Sequence, residues 1–201
     1  MAPISRGFRG RRRSDVDPAR VPPGQYVVDD FPVLSAGPTP HTALEQWSFQ
    51  IGGAVGEPAS WTWEQFQALG AETFTVDIHC VTKWSKLRTS WTGVPVDTLL
   101  QDVETEADYL TAWCDGGYTT NLALDDVTDG KGWVVYAFDG QPLQAEHGGP
   151  ARLLVPHLYF WKSAKWVRGL TLTGDDEPGF WEAAGYHNHG DPWKEQRYWG
   201  D

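Results

Sequence analysis

The sequence predicts a single α+β domain dominated by strands. Three observations predict it. At 201 residues, 40% of them hydrophobic, the chain has the length of one domain and enough apolar side chains to bury a core. Several short runs alternate apolar and polar residues with the period of two that a half-buried strand requires. Helical patterns are fewer, two or three short segments in all.

Taken in order, residues 1–25 read as a flexible arginine-rich tail that ends in the turn-prone VPPGQ, and residues 26–201 read as the ordered domain. The stretch LSAGPTPHT (34–42) holds too much Pro and Gly for a helix or a central strand. WSFQIGG (47–53) reads as a short strand closing on a glycine turn. TWEQFQALG (62–70) reads as a short helix: Thr62 and Gln65 match a capping box, and Gly70 stands where a C-terminal cap belongs. TFTVDIHC (73–80) is the clearest strand. Phe74, Val76, Ile78 and Cys80 alternate with Thr73, Thr75, Asp77 and His79, so Cys80 ends the apolar face and His79 points the other way. WTGVP (91–95) reads as a turn, followed by a helix from about Asp97 to Val103 with Asp97 as N-cap. DYLTAWCD (108–115), GWVVYAFDG (132–140), ARLLV (151–155) and KWVRGLTLTG (165–174) are further strands. The aromatic C-terminal stretch from Asp176 onward reads as a loop wrapped on the domain.

Charge narrows the partners. The formal net charge is −11, yet residues 1–20 hold six of the sixteen basic residues and only two of the twenty-seven acidic ones, leaving the body at −15. Such a body repels nucleic acid and anionic membrane surfaces. The arginine run invites an export reading, but residues 14–29 are polar and proline-broken, so the expectation is a cytoplasmic protein with no membrane span. Cys80 and Cys114 form no disulfide framework. Twelve tryptophans point to rigid pocket walls or to a Trp-packed core.

Cys80, read alone, is either an inert core residue or, with Lys83, Lys86 and Arg88 close in sequence, a thiolate serving as nucleophile, redox sulfur or metal ligand. Seven of the ten basic residues of the body fall in two windows, Lys83, Lys86 and Arg88, then Arg152, Lys162, Lys165 and Arg168. This gathering suits a buried anion such as a phosphate, or else a set of surface ion pairs. In HGGPARLLVP (147–156) paired glycines before an apolar strand offer backbone N–H groups to an anion. Histidines 147, 157, 187 and 189 lack zinc-site spacing, and no G-x-S-x-G hydrolase elbow is present.

Together, FPVLSAGPTP, VDIHCVTKWS, WTGVPVDTLL and GGPARLLVPHLYFWKSAKWVRGLTL resemble the sulfite oxidase superfamily from about residue 30 to 200, most closely its small cytoplasmic members and the catalytic subunit of the periplasmic methionine-sulfoxide reductase. The resemblance implies a sulfite oxidase-type fold around one molybdenum–molybdopterin, with Cys80 as thiolate ligand to the metal. It also implies pterin contacts from His147, Gly148, Pro150 and Arg152, from Ser163, Ala164 and Lys165, and from the loop of Leu34, Ser35, Ala36 and His41. Tyr186 resembles the family's pocket tyrosine, with His187 and Asn188 beside it. The family's sulfite-binding arginine is missing from Leu34-Ser35-Ala36, which puts sulfite oxidation in doubt and favours a reductase. With no C-x-x-C-H or haem domain in the sequence, electrons pass through a separate flavin, iron–sulfur or haem protein. The expected function is therefore two-electron oxygen-atom transfer to or from a small sulfur- or nitrogen-containing substrate. The rivals are a Trp-rich module that binds a ligand without catalysis and a pterin-binding relic acting as a partner subunit.

Overall fold

The computed structural model describes residues 16–201. They form two sheets and three short α-helices. The first sheet runs β1 (Tyr26–Val27), β5 (Trp84–Pro95), β8 (Trp133–Phe138), β10 (Arg152–Leu154), with β4 (Glu72–His79) also on β5 and β9 (Gln141–Pro142) also on β8. The second runs β3 (Ala59–Thr62), β2 (Ser48–Gly53), β11 (Val167–Thr173), β6 (Tyr109–Cys114), β7 (Thr119–Ala123). Pairing is antiparallel except for β1 with β5 and β2 with β11. The strand-dominated α+β expectation holds.

Strand alternation builds two cores from the first sheet. Along β8, Val134 faces the larger core while Trp133 and Val135 face the smaller one; on β10, Leu153 and Leu154 divide the same way. The larger core joins the first sheet to Phe49, Ile51, Leu110, Leu170 and Leu172 of the second. The smaller core, with Ile78, Trp84, Trp91 and Phe160, underlies Cys80.

Among the helices, α1 (Trp63–Gln67) starts on the expected capping box, with Thr62 Oγ1 accepting from Gln65 N–H and Gln65 Oε1 from Thr62 N–H. The helix α2 (Val96–Leu100) is capped by Pro95 rather than Asp97, because the Asp97 carboxylate accepts from the N–H groups of Asp129 and Gly130 instead. WTGVP is not a turn. It is the end of twelve-residue β5, hydrogen-bonded to β4 on one side and β8 on the other, and Gly93 marks a register shift. The C-terminal stretch contains one unforeseen helix, α3 (Phe180–Ala183), too short to show a periodic pattern. The expected tail over 1–25 is too long: Asp17 caps a turn at Pro18–Arg20, and Arg20 pairs with Asp77 at 2.5 Å, so residues 16–25 are seated on the domain. Its remainder lies outside the described residues. Among the described residues no helix is long and apolar enough to cross a membrane.

Candidate functional site

A cavity of about 460 Å³ opens between the β4–β5 turn, the 31–38 loop, the 115–118 turn, the 160–166 segment and α3. That is the size of a cofactor or small-molecule site. Cys80 lies in its wall. A four-residue turn puts it there: Cys80 N–H donates to the Trp84 carbonyl (2.8 Å) and Lys83 N–H to the Cys80 carbonyl (2.9 Å). The thiol is nearly buried, and the Thr82 hydroxyl donates to Sγ at 3.2 Å. Burial pushes the Cys80 thiol up; the Thr82 hydroxyl, the backbone of Thr82 and Val81, and the Arg152 charge oppose it.

One end of the cavity is cationic. Arg152, at the start of β10, is 1% exposed. Its guanidinium donates to the carbonyls of His147 (2.8 Å), Ser163 (2.5 Å) and Leu153 (3.5 Å), and stacks over Phe160 at 4.0 Å. No carboxylate pairs with it among the described residues, and burial alone pulls it down to about 9. Lys165 likewise donates to two carbonyls, those of Leu34 and Glu146, both at 2.6 Å. Burial first, then Arg152, lowers it to about 8. Gly148 allows this arrangement. Its φ of +108° is left-handed, and a Cβ there would come within 3.1 Å of both Lys165 and Arg152. A buried guanidinium and a neighbouring ammonium with no carboxylate paired to either among the described residues are what an anionic group, such as a pterin phosphate, would complete. The fit is to that group.

The other end is aromatic. Trp161, Phe180, Trp181 and Tyr186 line it, with Tyr118 beside them and within reach of the Arg152 charge. Tyr186 stacks on Trp181 (5.0 Å, 22°) and meets Trp161 edge-on (5.2 Å, 83°). Burial raises the Tyr186 hydroxyl, with Tyr198 and Cys80 adding to it. Tyr118 donates its hydroxyl to the Trp161 carbonyl at 2.7 Å. The lining also holds one carboxylate, Asp115, which is paired with Arg168 at 3.1 Å.

Of the residues singled out by sequence, Ser35, Ala36, Cys80, Arg152, Ser163, Ala164, Lys165 and Tyr186 are brought together in the lining. Ser163 contributes less than expected, because its N–H already donates to the Phe160 carbonyl and its Oγ accepts from Val155 N–H. His147 stands one layer back, its ring stacked on Phe31 at 3.9 Å and its carbonyl on Arg152. His41 is exposed and outside the lining. His187 and Asn188 are also outside it. His187 Nδ1 accepts from the N–H groups of His189 and Gly190, and Asn188 bonds to Asn121 and Asp176. The first basic window does not reach the cavity either. Lys86 donates to the Asp29 carbonyl on a separate surface shared with Arg88, and the cation acting on Cys80 is Arg152. Among the described residues no His, Cys, Asp and Glu group is arranged to hold a metal by itself.

Sequence reasoning missed Thr82, Phe31, Tyr118 and the two α3 aromatics. DGGY (115–118) carried the same paired-glycine signal as HGGP, with both glycines at positive φ, and would have pointed to Tyr118.

Comparison with known proteins gives a family match. The model of the oxidoreductase molybdopterin binding domain matches residues 36–181. The chain is 43% identical over 194 residues to the oxidoreductase YuiH of Bacillus subtilis, covering 95% of this chain and 98% of that one. It is 26% identical over 166 residues to the protein-methionine-sulfoxide reductase catalytic subunit MsrP of Pseudomonas syringae, 73% of this chain but 49% of that one, so it spans about half of that relative. The sulfane dehydrogenase SoxCD of Paracoccus pantotrophus shares the fold, with a TM-score of 0.63 at 22% identity over 69% of this chain and 41% of that one.

Proposed function

The chain belongs to the oxidoreductase molybdopterin-binding domain family, within the sulfite oxidase superfamily; on that premise we propose that it catalyses two-electron oxygen-atom transfer to or from a small sulfur- or nitrogen-containing molecule, with the Cys80 thiolate bound to molybdenum. Membership implies molybdenum–molybdopterin as the cofactor. When bound, that group supplies the two-electron redox centre and the place where an oxygen atom is exchanged. The observation that carries the reading is the fully buried Arg152, without a carboxylate partner among the described residues, on the same cavity as a nearly buried thiol.

The chain's own residues divide the work. Arg152 and Lys165 would neutralise and orient the pterin's anionic end. Cys80 would hold the metal as a thiolate, and the Thr82 hydroxyl, which donates to Sγ, would stabilise that negative sulfur. The aromatic walls exclude water from the reacting centre. Tyr186 is protonated at neutral pH, as a tyrosine ordinarily is, and burial pushes its hydroxyl further up, so it can donate a hydrogen bond to a substrate oxygen. Reduction is the favoured direction, since the 34–36 loop offers no cation for a sulfite dianion. The electron donor is a separate redox protein.

Elemental analysis of molybdenum with pterin release tests this on protein made in a host that synthesises the cofactor, with Cys80→Ser in parallel. About one molybdenum per chain, and an altered metal spectrum in the variant, is the expected result. Folded wild-type protein lacking both metal and pterin refutes the proposal. A metal-loaded protein that no sulfoxide, N-oxide or sulfur oxyanion reoxidises or reduces leaves the relic in its place.

A further inference from the structure

The aromatic end of the cavity rests on a charge pair that stability alone does not require. Lys162 and Glu182 are both about 1% exposed, with Nζ and Oε1 2.7 Å apart. Removing two charges from water costs free energy that their attraction does not reliably return, and a well-packed apolar pair of the same volume is often as stable. What the pair has is position. Glu182 Oε1 also accepts from Thr120 Oγ1 (2.7 Å) and from the Trp161 indole N–H (2.9 Å). Lys162 also donates to the Asn121 carbonyl at 2.6 Å. One buried oxygen thus ties together β7, the 161–162 segment and α3.

Three cavity side chains hang from that tie. Trp161 precedes Lys162 and is held through its indole; Phe180 and Trp181 precede Glu182 on α3. The join is close-packed as well. At Gly179 a Cβ would stand 2.5 Å from Thr120 Cα and 2.9 Å from Glu182 Oε2. Tyr186 completes the wall by stacking on Trp181. Among the described residues the wall itself contributes one cation, Lys162, whose charge is matched by Glu182; the lining's two others, Arg152 and Lys165, are those read above as meeting the pterin's anionic group. The outermost ring, Phe180, is 46% exposed and offers hydrocarbon to an arriving molecule.

We propose that the Lys162–Glu182 pair is a positioning device for substrate recognition, fixing Trp161, Phe180 and Trp181 as a rigid wall that takes the hydrocarbon part of an uncharged substrate. The proposal rests on reading the cavity as the redox site. Rigid rings held at a fixed angle lose little freedom on binding an apolar group, and a wall whose one cation is already matched discriminates against oxyanions.

The test uses molybdenum-loaded protein with methyl phenyl sulfoxide as probe, dimethyl sulfoxide and sulfite as comparisons, and binding read by titration calorimetry. Two variants are made: Lys162→Met/Glu182→Leu, which removes both charges together, and Trp181→Leu, which removes a ring and no charge. The wild type should bind methyl phenyl sulfoxide at least tenfold more tightly than either comparison. In both variants that preference should fall below about threefold, while molybdenum content stays at the wild-type level. In the charge-free variant the near-UV circular dichroism of the tryptophans should change at unaltered secondary structure. No preference in the wild type overturns the proposal, as does a preference that survives in Trp181→Leu or in the charge-free variant. A variant that loses molybdenum assigns the wall to the cofactor, which overturns the proposal yet leaves the molybdenum reading intact. Wild-type molybdenum content reports separately on that reading.

Discussion

Arg152→Met separates what the fold needs from what the cofactor needs. In the cofactor-free protein the guanidinium is held only by carbonyls and ring faces, and burial lowers it from 12.5 to about 9. A depression of that size corresponds to roughly 5 kcal/mol of penalty at neutral pH, fully present below about 9 and relieved as the pH rises toward 12.5. Against it stand hydrogen bonds to carbonyls, each worth about 1.5–3 kcal/mol when the donor is charged. These terms nearly cancel, so cofactor-free Arg152→Met should unfold in urea within about 2 kcal/mol of wild type. The holo-protein should respond differently. Removing one partner of a buried charge pair costs about 3–5 kcal/mol, a loss of at least a hundredfold in cofactor retention. Molybdenum and pterin per chain after gel filtration measure it. A variant that keeps one molybdenum per chain through buffer exchange would refute the assignment of Arg152 to the anionic group. One that loses 5 kcal/mol without cofactor would refute the cancellation.

Three further outcomes follow from the same geometry. Thr82→Val keeps the volume but removes the O–H donor to Cys80 Sγ, so the thiol of the cofactor-free protein should rise further and alkylation by iodoacetamide at pH 8 should slow about fivefold, the worth of a hydrogen bond near 1 kcal/mol; an unchanged rate refutes this role. Lys165 sits at about 8 in the folded protein and higher when unfolded, so its burial penalty is present below pH 8 and disappears as the pH rises toward 10.5. Cofactor-free Lys165→Met should therefore gain stability on wild type at pH 7 and lose that advantage by pH 10, measured by urea unfolding at both. Gly179→Ala puts a Cβ 2.5 Å from Thr120 Cα and 2.7 Å from the Thr119 carbonyl, both backbone, and should cost about 3 kcal/mol in the same assay.

The sequence is legible where chemistry and periodicity coincide. Cys80 follows directly on β4, a strand readable from its alternation in sequence, although the strand itself ends at His79 and the turn closed by Cys80 N–H on the Trp84 carbonyl brings the thiol to the cavity. Arg152 is legible through the glycine turn before it. β5 was not, because WSKLRTSWTGVP pairs on both edges and carries charges at its exposed positions, so no clean alternation survives. His79 shows the opposite error. It faces away from Cys80 as alternation requires, yet it is buried, with its Nδ1 2.8 Å from Ser85 Oγ and its ring against Trp193 of the C-terminal segment. Periodicity assigns a face but not what covers it. Charge was the least legible property. Lys83, Lys86 and Arg88 are close to Cys80 in sequence, but the turn at Lys83 and the hairpin carry Lys86 and Arg88 onto another surface, whereas Arg152 arrives from a strand far along the chain.

The two ends of the cavity treat buried cations in opposite ways, and the difference bears on how the site works. Lys162 is compensated within the fold: Glu182 meets it at 2.7 Å, so the aromatic wall is complete whether or not anything is bound. Arg152 and Lys165 have no carboxylate partner among the described residues and are met by backbone carbonyls instead. Anything that binds the folded chain alone stabilises it by mass action, and here that gain falls on the cationic end. On the proposed reading, an anionic cofactor would meet two cations that only carbonyls hold, while a substrate would meet a surface already fixed by the Lys162–Glu182 pair.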